Sequence, residues 1–161
     1  MIKKLLAAAL IAIPALAFVS CSDDDKNLPD VDFNVEVENA TKVDGAVYVV
    51  QGETLTISGI TVTNREEGKE AAITQAAYFW DGRYIGTSVF APYGIEITTS
   101  DTTPLGNHSL DIQAPVLAVD KEVATAVIGL KVVVVESEDE VPGGGSTTFV
   151  ATPTTTQANP K

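Results

Sequence analysis

The sequence has very few residues that commonly carry chemistry: it contains one cysteine, Cys21, and one histidine, His108. A single cysteine cannot form a disulfide within its own chain, so Cys21 needs another role. Zinc sites draw on several cysteine and histidine ligands, and this chain offers too few of them. No spacing of Ser, His and Asp suggests a catalytic triad. The composition therefore predicts a protein that is not an enzyme and that carries no cofactor.

Basic residues are also scarce. The chain has 10 Lys and Arg against 22 Asp and Glu, which gives a formal net charge of −12. Proteins that bind nucleic acid or anionic headgroups do so through clusters of Lys and Arg, and the sequence contains no such cluster. We therefore expect no nucleic-acid partner.

The first 20 residues have the layout of an export signal. Lys3 and Lys4 form a positive start, and residues 5–19 form an apolar stretch interrupted by Pro14. This stretch is shorter than the roughly 20 residues that a membrane-spanning helix needs. Removing residues 1–20 takes away two lysines and changes the net charge from −12 to −14. The remaining chain has the size of one domain.

The segment Phe18-Val19-Ser20-Cys21 resembles the lipobox of bacterial lipoproteins, although Phe18 stands where Leu is usual. Ordinary secretory cleavage near Ser20 is the alternative. The position of the only cysteine, directly after the apolar stretch, favours the lipobox. The resemblance implies that Cys21 carries acyl chains such as palmitate, and two or more such chains hold a protein firmly to a membrane.

The residues that follow the cysteine are Ser22, Asp23, Asp24 and Asp25. This acidic run resembles the lipoprotein export signal of Bacteroidota. It implies an outer-membrane protein that faces the cell exterior. The alternative is that these residues form only a solvated acidic tether. We assign residues 21–30 to a flexible, lipidated acidic tether.

Residues 31–135 consist of short strand patterns separated by turns. Val31, Phe33, Val35 and Val37 alternate with polar residues, which is typical of a strand with one buried face. Similar patterns recur along the segment, and no helical period is present. The sequence therefore predicts an all-β protein, an antiparallel β-sandwich of about 7–9 strands.

Two local sequence signals predict a bulge and a turn within this segment. The alternation after Leu55 continues past Ser58-Gly59 only if one extra residue is inserted, which predicts a β-bulge. The Asp81-Gly82 pair separates two apolar runs, and it predicts a tight hairpin because this turn requires positive φ angles.

Residues 136–161 begin with an acidic run and continue as a Gly-rich and then a Thr-rich stretch. This composition is typical of a tail. One alternative stays open, in which residues 147–151 fold back as an extra strand beside residues 132–135.

The middle of the chain resembles bacterial Ig-like domains. The resemblance rests on the aromatic strand into Asp81-Gly82, on Ala91-Pro92-Tyr93, and on the Gly106-x-His108-x-Leu110 pattern, and it covers residues 73–114. It implies an Ig-like sandwich and no particular activity. The cysteine pair of antibody domains is missing, so we expect packing alone to hold the core.

His108 has two interpretations. A histidine near its usual pKa can serve as a general base. His108 begins a strand whose same face carries Leu110 and Ile112, which favours a histidine at the core edge that bonds a loop backbone.

Two acidic segments offer oxygen ligands of the kind that calcium accepts. They are Asp30 with Asp32 and Ser137-Glu138-Asp139-Glu140, and neither matches an EF-hand loop. We predict no metal site.

The aromatic residues around the Asp81-Gly82 hairpin are the candidate ligand-binding residues. Tyrosine and tryptophan rings can stack on sugar faces and are common at interaction surfaces. The alternative is that two or three of them pack the core. The candidates are Tyr78, Trp80, Tyr84 and Tyr93.

Asp101-Thr102-Thr103 resembles a short O-glycosylation motif of Bacteroidota, with Thr102 as the acceptor.

Together these features predict a non-catalytic cell-surface lipoprotein that acts as a binding or interaction module for glycans or envelope proteins. The membrane is the expected partner of Cys21. A structural spacer or an accessory subunit of a fimbria-like assembly is the alternative, because the Thr-rich tail and the long apolar strand at residues 123–135 could recruit other strands.

Overall fold

The structure is a computed structural model that describes residues 27–143, 147–151 and 154–158. The described residues form strands joined by turns, and their one helical element is a single 3-10 turn at Glu138–Glu140. No helix in this part of the chain has the length and apolar character needed to cross a membrane. The predicted all-β class is confirmed.

Eleven strands occur in the described residues. In chain order they are β1 (Val31–Val43), β2 (Ala46–Val50), β3 (Thr54–Asn64), β4 (Ala71–Ile73), β5 (Ala76–Trp80), β6 (Arg83–Ser88), β7 (Ile95–Thr98), β8 (Gly106–Ala118), β9 (Ala124–Val135), β10 (Thr147–Ala151) and β11 (Thr154–Ala158).

The strands make two sheets that pack as an Ig-like β-sandwich. One sheet has the order β10-β1-β3-β7, and the other has the order β6-β5-β8-β9-β2, with β4 added to β8 and β11 added to β9. The first strand belongs to both sheets, because residues 31–38 pair with β3 and residues 41–43 pair with β2. The prediction of an antiparallel sandwich holds for every described strand pair except β2 with β9, which are parallel.

The core lies between the two sheets and is formed by alternate residues of their strands. Val31, Phe33, Val35 and Val37 of β1 are all buried, while the residues between them are exposed. β8 and β9 supply the facing layer, which includes Leu110, Ile112 and Ile128. The alternation along β1 therefore marks its buried face, as predicted.

The predicted bulge in β3 is confirmed. Glu36 pairs with Gly59, but the next residue, Val37, pairs with Ile57. Ser58 is the extra residue. The insertion keeps Ile57 and Ile60 buried on the same side of the strand, as the sequence pattern requires.

The C-terminal segment contributes strands to both sheets. Residues 147–151 form β10, as the open alternative allowed, but β10 pairs with β1 and not with residues 132–135. The expected position is already filled, because residues 132–134 pair with β8 on one side and with β2 on the other. The next strand, β11, pairs with residues 125–129 of β9.

The N-terminal end of the described chain is attached to the domain. The Asn27 side-chain amide donates to the Asp120 carbonyl oxygen at 2.6 Å, and the Glu122 N–H donates to the Asn27 carbonyl oxygen at 2.8 Å. Of the predicted tether (residues 21–30), the structure describes residues 27–30, and Asn27 is bonded to the β8–β9 loop. The predicted signal (residues 1–20), Cys21 and the acidic run lie outside the described residues.

Candidate functional site

A cleft of roughly 530 Å³ opens on the side of the sandwich where β6 and β7, the last strands of their respective sheets, face each other. Its walls come from the β5–β6 hairpin, from β7 and from the segment that leads into β8. The lining combines apolar and polar groups. It consists of Trp80, Asp81, Arg83, Ile85, Ile95, Glu96, Ile97, Thr98, Thr99, Thr103, Pro104 and His108.

The β5–β6 hairpin turns at Asp81-Gly82, where the φ angles are 48° and 75°. Trp80 pairs with Arg83 across the turn, so the predicted two-residue hairpin is confirmed. Asp81 also ties the turn to β8. Its Oδ1 accepts the Ser109 N–H at 2.8 Å, and its own N–H donates to the Ser109 carbonyl oxygen at 2.9 Å. These bonds fix one wall of the cleft.

His108 lies beneath that wall, with only 6% of its side chain exposed. Nδ1 is 2.6 Å from Asp81 Oδ2, and Nε2 is 2.8 Å from the Pro104 carbonyl oxygen. Both partners are acceptors, so this arrangement suits an imidazolium that donates from both nitrogens. The interpretation of His108 as a core-edge histidine that bonds a loop backbone is confirmed.

The ionisation of this pair follows from its contacts. Burial by itself lowers the pKa of His108, but the hydrogen bonds to Asp81 and to the Pro104 carbonyl raise it above its usual value. Burial by itself raises the pKa of Asp81, but the hydrogen bonds from His108 and from the Ser109 N–H hold it below its usual value. The two groups therefore favour the charged form of each other.

Trp80 forms the aromatic part of the cleft. Its ring is half-buried, and its centroid lies 5.0 Å from that of His108 at an interplanar angle of 33°. Packing against the buried imidazole limits the orientations that the indole can adopt. Arg83, Glu96 and Thr98 are exposed around it and offer donors and acceptors of both charges. This combination suits a ligand with an apolar face and hydrogen-bonding edges.

The β7–β8 loop, residues 99–105, is held in place by hydrogen bonds around Thr99. Thr99 is the one buried polar residue in the described part of the chain. Its hydroxyl accepts the Gly52 N–H at 2.8 Å and is 2.9 Å from the Glu53 carbonyl oxygen. The Gln51 side-chain amide donates to the Thr103 carbonyl oxygen at 2.6 Å. The cleft is therefore preformed on this side as well.

Two of the four aromatic candidates belong to the core and not to a binding surface. Tyr78 is completely buried, and its hydroxyl donates to the Tyr93 carbonyl oxygen. Burial raises the pKa of the Tyr78 phenol. Tyr93 is half-buried and donates from its hydroxyl to the Ile73 carbonyl oxygen at 2.8 Å. These two residues tie the β6–β7 loop to β4 and β5.

Tyr84 is exposed but does not line the cleft. It packs edge-on against Phe79, with ring centroids 5.7 Å apart, and its hydroxyl is 2.9 Å from Thr87 Oγ1. Phe79 alternates with Tyr78 and Trp80 along β5, so this pair lies on the opposite face of the sheet. Of the four predicted binding residues, the cleft contains Trp80 alone.

Sequence patterns did not identify the residues of β6 and β7 that line the cleft, which are Arg83, Ile85, Ile95, Glu96, Ile97 and Thr98. No local pattern marks them, because they meet only when the two sheets pack. Thr102, the predicted glycosylation acceptor, is exposed in a turn closed by the Thr103 N–H and the Ser100 carbonyl oxygen at 2.8 Å.

The two carboxylates considered for calcium have a partner in the protein. Arg65 binds Asp30 at 2.9 Å and Asp32 at 2.6 Å. Within the described ranges, no three His, Cys, Asp or Glu residues come together in a way that could hold a metal ion.

No protein-family model matches the chain, and no curated protein matches it. Among solved structures, a fibronectin(III)-like module of Clostridium thermocellum CbhA is 26% identical and covers 61% of this chain and 94% of its own, with a TM-score of 0.37.

Proposed function

We propose that this chain is a non-catalytic lipoprotein of the outer cell surface, anchored through Cys21, which binds its ligand in the cleft beside Trp80. The observation that carries the proposal is the cleft itself. It combines a fixed aromatic ring with exposed polar groups of both charges, in a volume of roughly 530 Å³. That volume lies within the range of small-molecule sites.

Glycans are the ligand class that the cleft favours. An indole face can stack on the apolar face of a sugar ring, while carboxylate, guanidinium and hydroxyl groups bond its hydroxyls. Asp81, Arg83, Glu96 and Thr98 provide such groups around Trp80. Envelope proteins are the second class, since Trp and Arg are common in the centres of protein interfaces.

A catalytic role for His108 is disfavoured by its bonds. A general base needs a free nitrogen lone pair within reach of its substrate. Both nitrogens of His108 are bonded to acceptors within the protein, at 2.6 and 2.8 Å. The histidine therefore serves to hold the turn and the Trp80 ring in place.

A glycan array and a pull-down from envelope extract test the binding role. We expect wild-type protein to bind, Trp80→Ala to lose most of that affinity, and Tyr84→Ala to retain it, because Tyr84 is exposed but lies outside the cleft. An array without hits, together with a pull-down without an envelope partner, would count against the proposal. Equal binding by the two variants would show that the ligand does not bind in the cleft beside Trp80.

The anchor is tested separately. Cys21→Ala should abolish labelling by a palmitate analogue and move the protein out of the membrane fraction. Surface protease should digest the wild-type protein on intact cells if the export signal acts as proposed. Unchanged labelling in the variant would contradict lipidation at Cys21.

A structural role in a surface assembly is the second candidate, and the C-terminal strands favour it. β10 and β11 occupy strand positions next to β1 and β9, so this segment can complete a sheet edge. Deleting residues 136–161 should then impair assembly or partner retention. If the deletion changes neither assembly nor partner retention, the tail has no such role.

A further inference from the structure

Asn27, the first described residue after the predicted lipid anchor Cys21, lies at the end of the sandwich that carries the β8–β9 loop. Asn27 is bonded to Asp120 and Glu122 of this loop, and Lys121 Nζ donates to Asn27 Oδ1 at 2.9 Å. Five residues, 22–26, separate Asn27 from Cys21 in the sequence. Because an extended chain spans at most about 3.5 Å per residue, Asn27 can lie no more than about 20 Å from an acylated Cys21.

The same loop exposes apolar side chains. Leu117 is 41% exposed, Val119 is 59% exposed and Val123 is 52% exposed. Single exposed apolar residues are common, but these three lie at the two strand ends and in the turn between them. They sit on the part of the domain to which Asn27 is bonded.

The charges around this loop indicate which lipid surface it suits. Lys121 is paired with Glu66 Oε1 at 2.6 Å, while Asp120 and Glu122 are exposed. Glu66 also pairs with Lys69 at 2.8 Å. The loop therefore presents no unpaired cation to an anionic headgroup, and its carboxylates are repelled by one. Zwitterionic headgroups avoid that repulsion.

We propose that the β8–β9 loop docks on the bilayer that holds the lipid anchor, with Leu117, Val119 and Val123 in contact with a zwitterionic lipid surface. This inference rests on the proposed anchoring through Cys21. Docking fixes the orientation of the domain. β8 runs from His108, which lines the cleft, for ten further residues to Ala118 at this loop, which is about 33 Å at about 3.3 Å per residue. The cleft then lies near the end of β8 that is farther from the membrane.

The test uses the full mature protein, acylated on Cys21 and reconstituted in vesicles of phosphatidylcholine and phosphatidylethanolamine. Acylation consumes the only native thiol, so Val119→Cys introduces a single site for an environment-sensitive dye. Thr102→Cys provides the matched control in the turn below the cleft. Lipid-borne quenchers should reduce the emission of the dye at position 119 several-fold more than that of the dye at position 102. Equal quenching at the two positions would overturn the docking.

A second variant separates apolar contact from mere proximity. Leu117→Asp and Val123→Asp, added together to Val119→Cys, should remove most of the quenching while the unfolding temperature in detergent stays close to that of the parent. Persistent quenching in this variant would overturn the docking by apolar side chains. Flotation with the vesicles gives an independent check of the anchor. Protein that fails to float contradicts the anchoring itself, whereas protein that floats without quenching at position 119 contradicts only the docking.

Discussion

The two open sides of the sandwich differ in what lies between the sheets. On one side, β10 pairs with β1 and β11 pairs with β9, so the C-terminal segment adds a strand to each sheet. On the other side, β6 and β7 end their sheets in the described part of the chain, and the cleft lies between them. One side is thus extended by strands of the C-terminal segment, while the other ends at two strands with a cleft between them.

The aromatic residues provide the sharpest test of this division. Tyr78→Ala should destabilise the protein by about 3–5 kcal/mol, because it empties a completely buried site. Tyr84→Ala should change the free energy of unfolding by no more than about 0.5 kcal/mol, because Tyr84 is 58% exposed. Urea unfolding of both variants measures the contrast. Similar losses in the two would show that the assignment of core and surface is wrong.

The Asp81–His108 pair should make stability on the cleft side depend on pH. The folded pKa of His108 is raised, so its contribution is complete below its unfolded pKa and is lost as pH rises through the folded pKa. The folded pKa of Asp81 is lowered, so its contribution is lost only as pH falls through that value. Asp81→Asn should therefore cost about 1 kcal/mol near pH 5.5 and less near pH 8.5.

Asp32→Asn is the matched control for that experiment. Asp32 pairs with Arg65, which stays charged across this range, so its small cost should not change between the two pH values. Urea unfolding at both pH values gives all four differences. An Asp81→Asn cost that is the same at both would contradict the account of the pair.

Amide exchange should increase on the side of the sandwich that carries β10 and β11 when the tail is lost. Deleting residues 147–161 should speed amide exchange on the order of tenfold at residues 35–40 of β1 and 125–129 of β9, whose partners are removed. Amides at the cleft, such as that of Ser109, should keep their protection because they are bonded to Asp81. Hydrogen exchange read by mass spectrometry distinguishes the two sides. Uniform acceleration would mean that the tail supports the whole fold.

The smallest expected effect on stability is at Thr102, which is exposed in the turn below the cleft. If Thr102 carries a glycan, natively expressed protein should show a mass shift on the peptide that contains residues 101–103, and Thr102→Ala and Asp101→Ala should both lose it. The substitutions should leave the free energy of unfolding within about 0.5 kcal/mol. An unmodified peptide from the native source would contradict the assignment.

Local patterns predicted the local features of this fold. The alternation in β1, the extra residue at Ser58 and the Asp81-Gly82 turn each depend on neighbours in the chain, and all three are confirmed. The bond from His108 to a loop carbonyl was predicted for the same reason, since a histidine at the start of a strand lies beside the preceding loop. Such features need no knowledge of which strands are neighbours.

The remaining features depend on tertiary packing. Tyr78 and Trp80 lie on the same face of β5, but Tyr78 is buried in the core and Trp80 lines the cleft. The difference depends on how far the opposite sheet covers this face, which the sequence of β5 does not show. Ile95 and Ile97 reach the cleft because β7 ends its sheet. The parallel pairing of β2 with β9 and the choice of β1 as the partner of β10 likewise follow from which strand edges are already occupied.

A ligand bound in the cleft would lie beside Trp80, so the chain contains its own probe of this site. Trp80 is the only tryptophan in the sequence and lies in the cleft wall. Titration of the folded protein with a glycan identified by the array, followed by tryptophan fluorescence and iodide quenching, therefore reports on this site alone. We expect a saturable change in emission and protection from iodide at the concentrations that support binding. Binding that leaves both the emission and the iodide quenching of Trp80 unchanged would contradict a ligand site in the cleft.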